Sequence, residues 1–185
     1  GATFTSIMPA NGGSGLAYPG WISVTNGDDN TSTTVSLAGT TFLFQAGAVT
    51  GFQACSNGWM TFNTANTSSA FTNSIAGGTP NKVLAPFWDD LVFTGQAYAN
   101  RDASCRYQIV GTLGSGSAVI ILEWAGIERF NIAGPNLNFQ VRLYESGNVI
   151  EFVYGTFEGF DGTVVSAYSY TIGYNGVTPA GLTAG

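Results

Sequence analysis

The sequence predicts an all-β fold, a two-layer antiparallel β-sandwich of jelly-roll type with about ten strands. Three observations predict it. First, 26 glycines, together with many Thr, Ser and Asn, break the chain into short runs. Second, those runs are rich in Val, Ile, Phe, Tyr and Thr, whose branched or planar side chains fit a pleated surface better than a helix. Third, no segment repeats its apolar residues at helical spacing. With 185 residues, 44% of them apolar, the chain is long enough to bury one sizeable core, so residues 1–185 are expected to form a single domain.

The elements follow in order. "ATFTSI" opens with short alternation, so Thr3, Phe4 and Thr5 are expected in an edge strand. The loop "NGDDNTS" separates "WISVT" from "TTVSL". "TTFLFQ" and "GFQACSNGWMTFN" read as paired strands, with Gly47, Gly51 and Gly58 marking turns. Residues 63–82 carry Thr, Asn and Ser without apolar periodicity and are expected to form a long loop before the chain re-enters the core at "KVLAPFWDDLVF". "CRYQIVGTL", "AVIILEW" and "NFQVRLYE" are the clearest strands, and "VIEFVYGTF" and "VVSAYSYTIGYNG" complete the set. If Gly147 and Asn148 form a two-residue turn, Phe139, Val141 and Leu143 share a face with Ile150, Phe152 and Tyr154. Tyr144 then lies opposite Glu151, and Gln140, Arg142 and Glu151 decorate the solvated face.

Charge narrows the function classes. Five basic and eleven acidic residues give a net charge of -6, which repels nucleic acid backbones and anionic membranes. No apolar run approaches the roughly 20 residues that span a bilayer, so no membrane insertion is expected. Histidine is absent, which excludes every mechanism that needs an imidazole and removes the commonest zinc ligand. Cys55 and Cys105 are the only cysteines, each at the start of an apparent strand. A bridge between them is the expectation, and closing so long a loop stabilises by roughly 4 kcal/mol in the chain-entropy model. Two buried thiols are the alternative.

At "SNGWMTFNTANTSSAFTNS", "LAPFWDDL" and "LNFQVRLYESGNVIEFVYG" the chain resembles the extracellular β-sandwich modules of secreted and cell-surface proteins of Bacteroidetes-type bacteria. It is more loosely similar to the nidogen-type extracellular domain, which shares the asparagine-glycine strand and the acidic corner after "APFW". The likeness runs over roughly residues 40–175 with the motif order kept. It implies a sandwich fold, an extracellular or cell-surface location and no catalytic residues. The cysteine pair is not part of the shared pattern.

Asp89 and Asp90 end the apolar run of "LAPFWDDL". Neighbouring strand residues point to opposite faces, so the two carboxylates cannot act as one catalytic pair. They are expected to form a structural corner, one accepting backbone N–H groups and the other meeting solvent or a loop arginine such as Arg101. Calcium ligation by Asp89 and Asp90 is the alternative. Asp28 and Asp29 of "NGDDN" offer further oxygen donors but lack the EF-hand spacing and its terminal glutamate. "EGFDG", with Glu158 and Asp161, is a fainter version of the same pattern. Calcium is thus the one cofactor the sequence leaves open. Glu123, Glu128, Glu145 and Glu151 raise retaining glycoside hydrolysis, which needs two carboxyls about 5 Å apart. Glu145 and Glu151 fall on opposite faces in the register above, which speaks against it.

Aromatic residues reach 14%, and rings can stack on sugars. Trp21, Trp59, Trp88 and Trp124 each sit in an apolar strand, however, where core packing is the expectation. The expected function is therefore non-enzymatic. The chain reads as an extracellular surface protein with a structural or adhesive role, acting through protein contacts as a self-assembling fibre subunit. In that reading the Thr3–Phe4–Thr5 edge adds to the sheet of a neighbouring copy. A carbohydrate-binding module with a glycan partner is the alternative.

Overall fold

The computed structural model describes residues 1–7, 21–22, 27–93, 103–130, 137–155, 157 and 169–176. The strands run β1 (Trp21–Ile22), β2 (Val35–Ser36), β3 (Leu43–Phe44), β4 (Gly47–Ala48), β5 (Gly51–Cys55), β6 (Trp59–Thr61) and β7 (Val83–Trp88). They continue with β8 (Leu91–Val92), β9 (Ser104–Val110), β10 (Val119–Arg129), β11 (Leu137–Tyr144), β12 (Val149–Tyr154) and β13 (Thr171–Tyr174). The described residues contain no α-helix, only two short 3-10 turns at Ile75–Gly77 and Ser146–Asn148.

Two antiparallel sheets carry the fold. The first has the order β1-β9-β10-β11-β12, with β8 also pairing β10. The second has the order β13-β7-β6-β5-β2, and β3-β4 form a separate hairpin. Strand alternation builds the layer between them: Phe52, Met60 and Leu84 from the second sheet bury against Leu122, Trp124 and Phe139 from the first. Burying side chains of this size contributes about 1.5–3 kcal/mol each, so this layer is the main source of stability. The all-β sandwich read from the sequence is the fold found.

Three local expectations change. The β11–β12 ladder pairs Arg142 with Glu151 and Tyr144 with Val149, two residues away from the register of a two-residue turn. The side-chain faces survive because a shift of two preserves them. The reason for the shift is Glu145, which leaves the ladder to serve as a hydrogen-bond acceptor for neighbouring loops, so the turn lengthens.

The excursion at 63–82 is not simply a loop over solvent. It covers the outer face of the second sheet, where Cys55, Trp59, Val83, Ala85 and Trp88 form a second apolar cluster with Ala70 and Ile75. Trp59 and Trp88 thus leave the inter-sheet core, Trp124 stays in it, and the Trp21 side chain lies outside the described residues.

Gln140 is not solvated decoration. Together with Glu123 it is fully buried, because residues 1–7 lie across the outer face of the first sheet.

Candidate functional site

The turn between β5 and β6 meets the end of β7 to form an acidic corner. Gly58 adopts φ 75°, and a Cβ there would lie 1.9 Å from the Phe87 carbonyl oxygen, so only glycine permits this approach. Asn57 beside it is buried and joins three segments. Its Oδ1 accepts from Leu91 N–H at 2.9 Å, while its Nδ2 donates to Asp29 Oδ1 at 2.8 Å and to the Ser69 carbonyl at 3.0 Å. The two motifs "SNGW" and "APFWDDL" are therefore one physical unit.

Asp89 and Asp90 part company at this corner. Asp89 is buried and accepts the Asp90 N–H at 2.9 Å, the Ser169 N–H at 3.1 Å and the Ser169 hydroxyl at 3.2 Å. Arg129 Nε stands 3.7 Å from its Oδ2. The arginine that meets the corner is thus Arg129 on β10; Arg101 lies outside the described residues.

Asp90 turns the other way, toward Asp28 and Asp29, and carboxylate oxygens of these three lie within 4.8 Å of one another. Burial, then the charge of Asp29, pushes the Asp28 carboxyl up. Burial and Asp29 raise Asp90 too, with Asp28 and Asp89 adding to them and Arg129 opposing. Among the described residues, Asp28, Asp29 and Asp90 are the set that could offer hard oxygen ligands to a divalent cation. Asp89 drops out of the four calcium candidates because both its oxygens are engaged elsewhere. "EGFDG" lies outside the described residues.

The expected edge strand proves to be a strap. Residues 1–7 form no ladder; side chains of β10, β11 and β12 hold them across the sheet. Glu151 accepts Ala2 N–H at 3.0 Å, Arg142 Nη2 donates to the Thr3 carbonyl at 3.1 Å, and Gln140 Nε2 donates to the Thr5 carbonyl at 2.8 Å. Glu123 accepts the Ser6 hydroxyl at 2.7 Å and Ile7 N–H at 3.0 Å, and Gln140 Nε2 also donates to it. Thr3, Phe4 and Thr5 therefore present no ladder edge in this structure.

Cys55 and Cys105 are free, buried thiols, and the expected bridge is not formed. The strand alternation explains why: Cys55 faces the outer cluster with Trp59 and Trp88, whereas Cys105 faces the inter-sheet core. Burial pushes the Cys55 thiol up to about 12 and raises Cys105 well above the usual thiol range.

One role escaped the sequence reading, which weighed Glu145 only as a catalytic carboxylate. Glu145 accepts from the Thr40 hydroxyl and the Thr41, Gly114 and Gly116 N–H groups at 2.8–3.0 Å. Burial alone would raise its carboxyl, but these donors outweigh burial and hold it at about 2. The glycines of "GSGS" at 114–117 mark a turn in the sequence, but nothing there shows that its N–H groups meet Glu145.

A family model described as NIDO related matches residues 2–184. No curated protein and no solved structure matches the chain.

Proposed function

Because the chain belongs to the NIDO-related family, we propose that it is a non-enzymatic extracellular protein of the bacterial surface, of the Bacteroidetes-type module class. It plays a structural or adhesive role through protein contacts and serves as a fibre subunit. The observation that carries this reading is the exposed side of β13. This strand pairs with β7 on one side and, among the described residues, with none on the other. Its Ile172 and Tyr174 stand exposed, as does Tyr170 just before it. A sheet edge beside exposed apolar side chains is suited to adding a strand from another chain.

The use made of the carboxylates supports the absence of catalysis. Asp89, Glu123, Glu145 and Glu151 each hold neighbouring N–H or hydroxyl groups. Such carboxylates are scaffolding. The carbohydrate-binding alternative has less support, since Trp59, Trp88 and Trp124 are fully buried and offer no ring face to a sugar.

Protease shaving of intact producing cells, followed by mass spectrometry of the released peptides, tests the reading. Peptides of this chain are expected in the shaved fraction, and their confinement to the cytosolic fraction of lysed cells would contradict it.

A further inference from the structure

The strap of residues 1–7 points to an interaction surface that the reading above does not contain. The first sheet presents a polar row to it: Glu123 on β10, Gln140 and Arg142 on β11, and Glu151 on β12. These side chains also hold one another. Arg142 Nε and Nη2 donate to Gln140 Oε1 at 2.9 and 2.8 Å, and the Tyr144 hydroxyl donates to Glu151 Oε2 at 2.8 Å. Polar side chains locked by one another resemble a binding site more than surface decoration.

What the row recognises is mostly backbone. It contacts the N–H groups of Ala2 and Ile7, the carbonyls of Thr3 and Thr5, and one hydroxyl, that of Ser6. Carbonyls two residues apart directed at one sheet require an extended peptide. Side-chain selection comes from Phe4, whose ring lies so close to Gly155 that a Cβ there would fall 2.9 Å from it.

The strap itself is weakly held. Only Phe4 and Ile7 are half-buried, and the other residues from 1 to 7 are exposed. A segment with few apolar contacts opens more readily than one packed in a core, and its departure removes two donors from Glu123 and uncovers the row, leaving the same backbone-recognising groups open to another extended segment.

We propose that this row is a peptide-docking groove and that residues 1–7 of a second copy of the chain dock in it in place of the chain's own strap. The proposal rests on the self-assembly reading above and adds to it a contact apart from the β13 edge. Each copy supplies one groove and one strap, so an exchange that does not close between two copies runs head-to-tail and can propagate.

The test uses full-length chains. An acceptor carries Ser6→Ala and Ile7→Pro, which remove the two donors to Glu123 while leaving the groove intact. A labelled synthetic peptide of residues 1–7 is expected to bind this acceptor at least about tenfold more tightly than the same peptide with proline at position 7. A donor carries Gly155→Val, which blocks the seat of Phe4 but leaves the strap intact. Each variant alone is expected to form no strap-exchanged dimer, and their mixture a 1:1 heterodimer.

Equal affinity for the two peptides, or a mixture that stays monomeric, would overturn the proposal. Filaments of the wild-type chain alongside either result would leave the fibre reading standing without this contact. A heterodimer alongside a strictly monomeric wild-type chain would establish the groove and refute the fibre.

Discussion

Trp124 on the first sheet donates its indole N–H to the carbonyl of Cys55 on the second, 2.9 Å away and fully buried. This bond crosses the sandwich and fixes one sheet against the other where the "SNGW" turn begins. Replacing Trp124 by Phe keeps most of the apolar volume and removes the donor. The Cys55 carbonyl retains Gly58 N–H at 3.3 Å, so the loss is expected to be about 1–2 kcal/mol in urea unfolding, with an unchanged slope. A loss below the resolution of the measurement would show that the bond does not hold the layers.

Gly58→Ala should cost far more than an ordinary surface substitution. The new Cβ meets the Phe87 carbonyl at 1.9 Å, a backbone atom that cannot swing aside, and φ is 75°. A loss of more than about 3 kcal/mol, or failure to fold, is expected from thermal unfolding of the variant.

Glu145 gives the sandwich an acid-sensitive clamp. Its carboxyl moves from an ordinary 4.5 in the unfolded chain to about 2 in the folded one, so the folded state is the stronger acid. The contribution is therefore complete above pH 4.5 and is lost as pH falls toward 2. Glu145→Gln is expected to cost about 1–2 kcal/mol at neutral pH, once solvent screening is allowed for. The gap between variant and wild type should close at pH 2, and a gap independent of pH would reject the clamp.

The acidic corner carries the opposite sign. Burial and mutual repulsion raise the folded-state carboxyls of Asp28 and Asp90 above their unfolded values, so both groups destabilise the fold where they are ionised. That penalty shrinks as pH falls through the raised folded values. Asp90→Asn, measured with a chelator present, is expected to raise neutral-pH stability by less than about 1 kcal/mol. A clear loss of stability would show that the charge at position 90 is needed.

The sandwich could be read from composition, because β-branched and aromatic runs between glycines leave few other ways to bury 44% apolar residues. Faces were legible where alternation was clean, as in β11 and β12. Register was not, since it depended on Glu145 leaving the ladder to bind loops 31 and 104 residues distant in the chain. At the corner, Asp89 and Asp90 lie in the bend between β7 and β8 rather than in a strand, so alternation does not assign their partners. Which of them would join Asp28 and Asp29 depended on long-range packing: Ser169 and Arg129 claim Asp89. The strap was hidden for the same reason. "ATFTSI" has the pattern of a strand, but its partners are side chains in the outward row of the first sheet rather than a backbone edge.

The cysteines invite a direct chemical count. As buried thiols with raised ionisation, Cys55 and Cys105 are expected to ignore a thiol reagent in the native state and to yield two equivalents in denaturant without reductant. Recovery of none after unfolding would establish a bridge instead.

The proposed self-assembly is checked by sedimentation velocity of the purified wild-type chain across the micromolar range. Assemblies that grow with concentration are predicted. A single species of one-chain mass at every concentration would contradict the account.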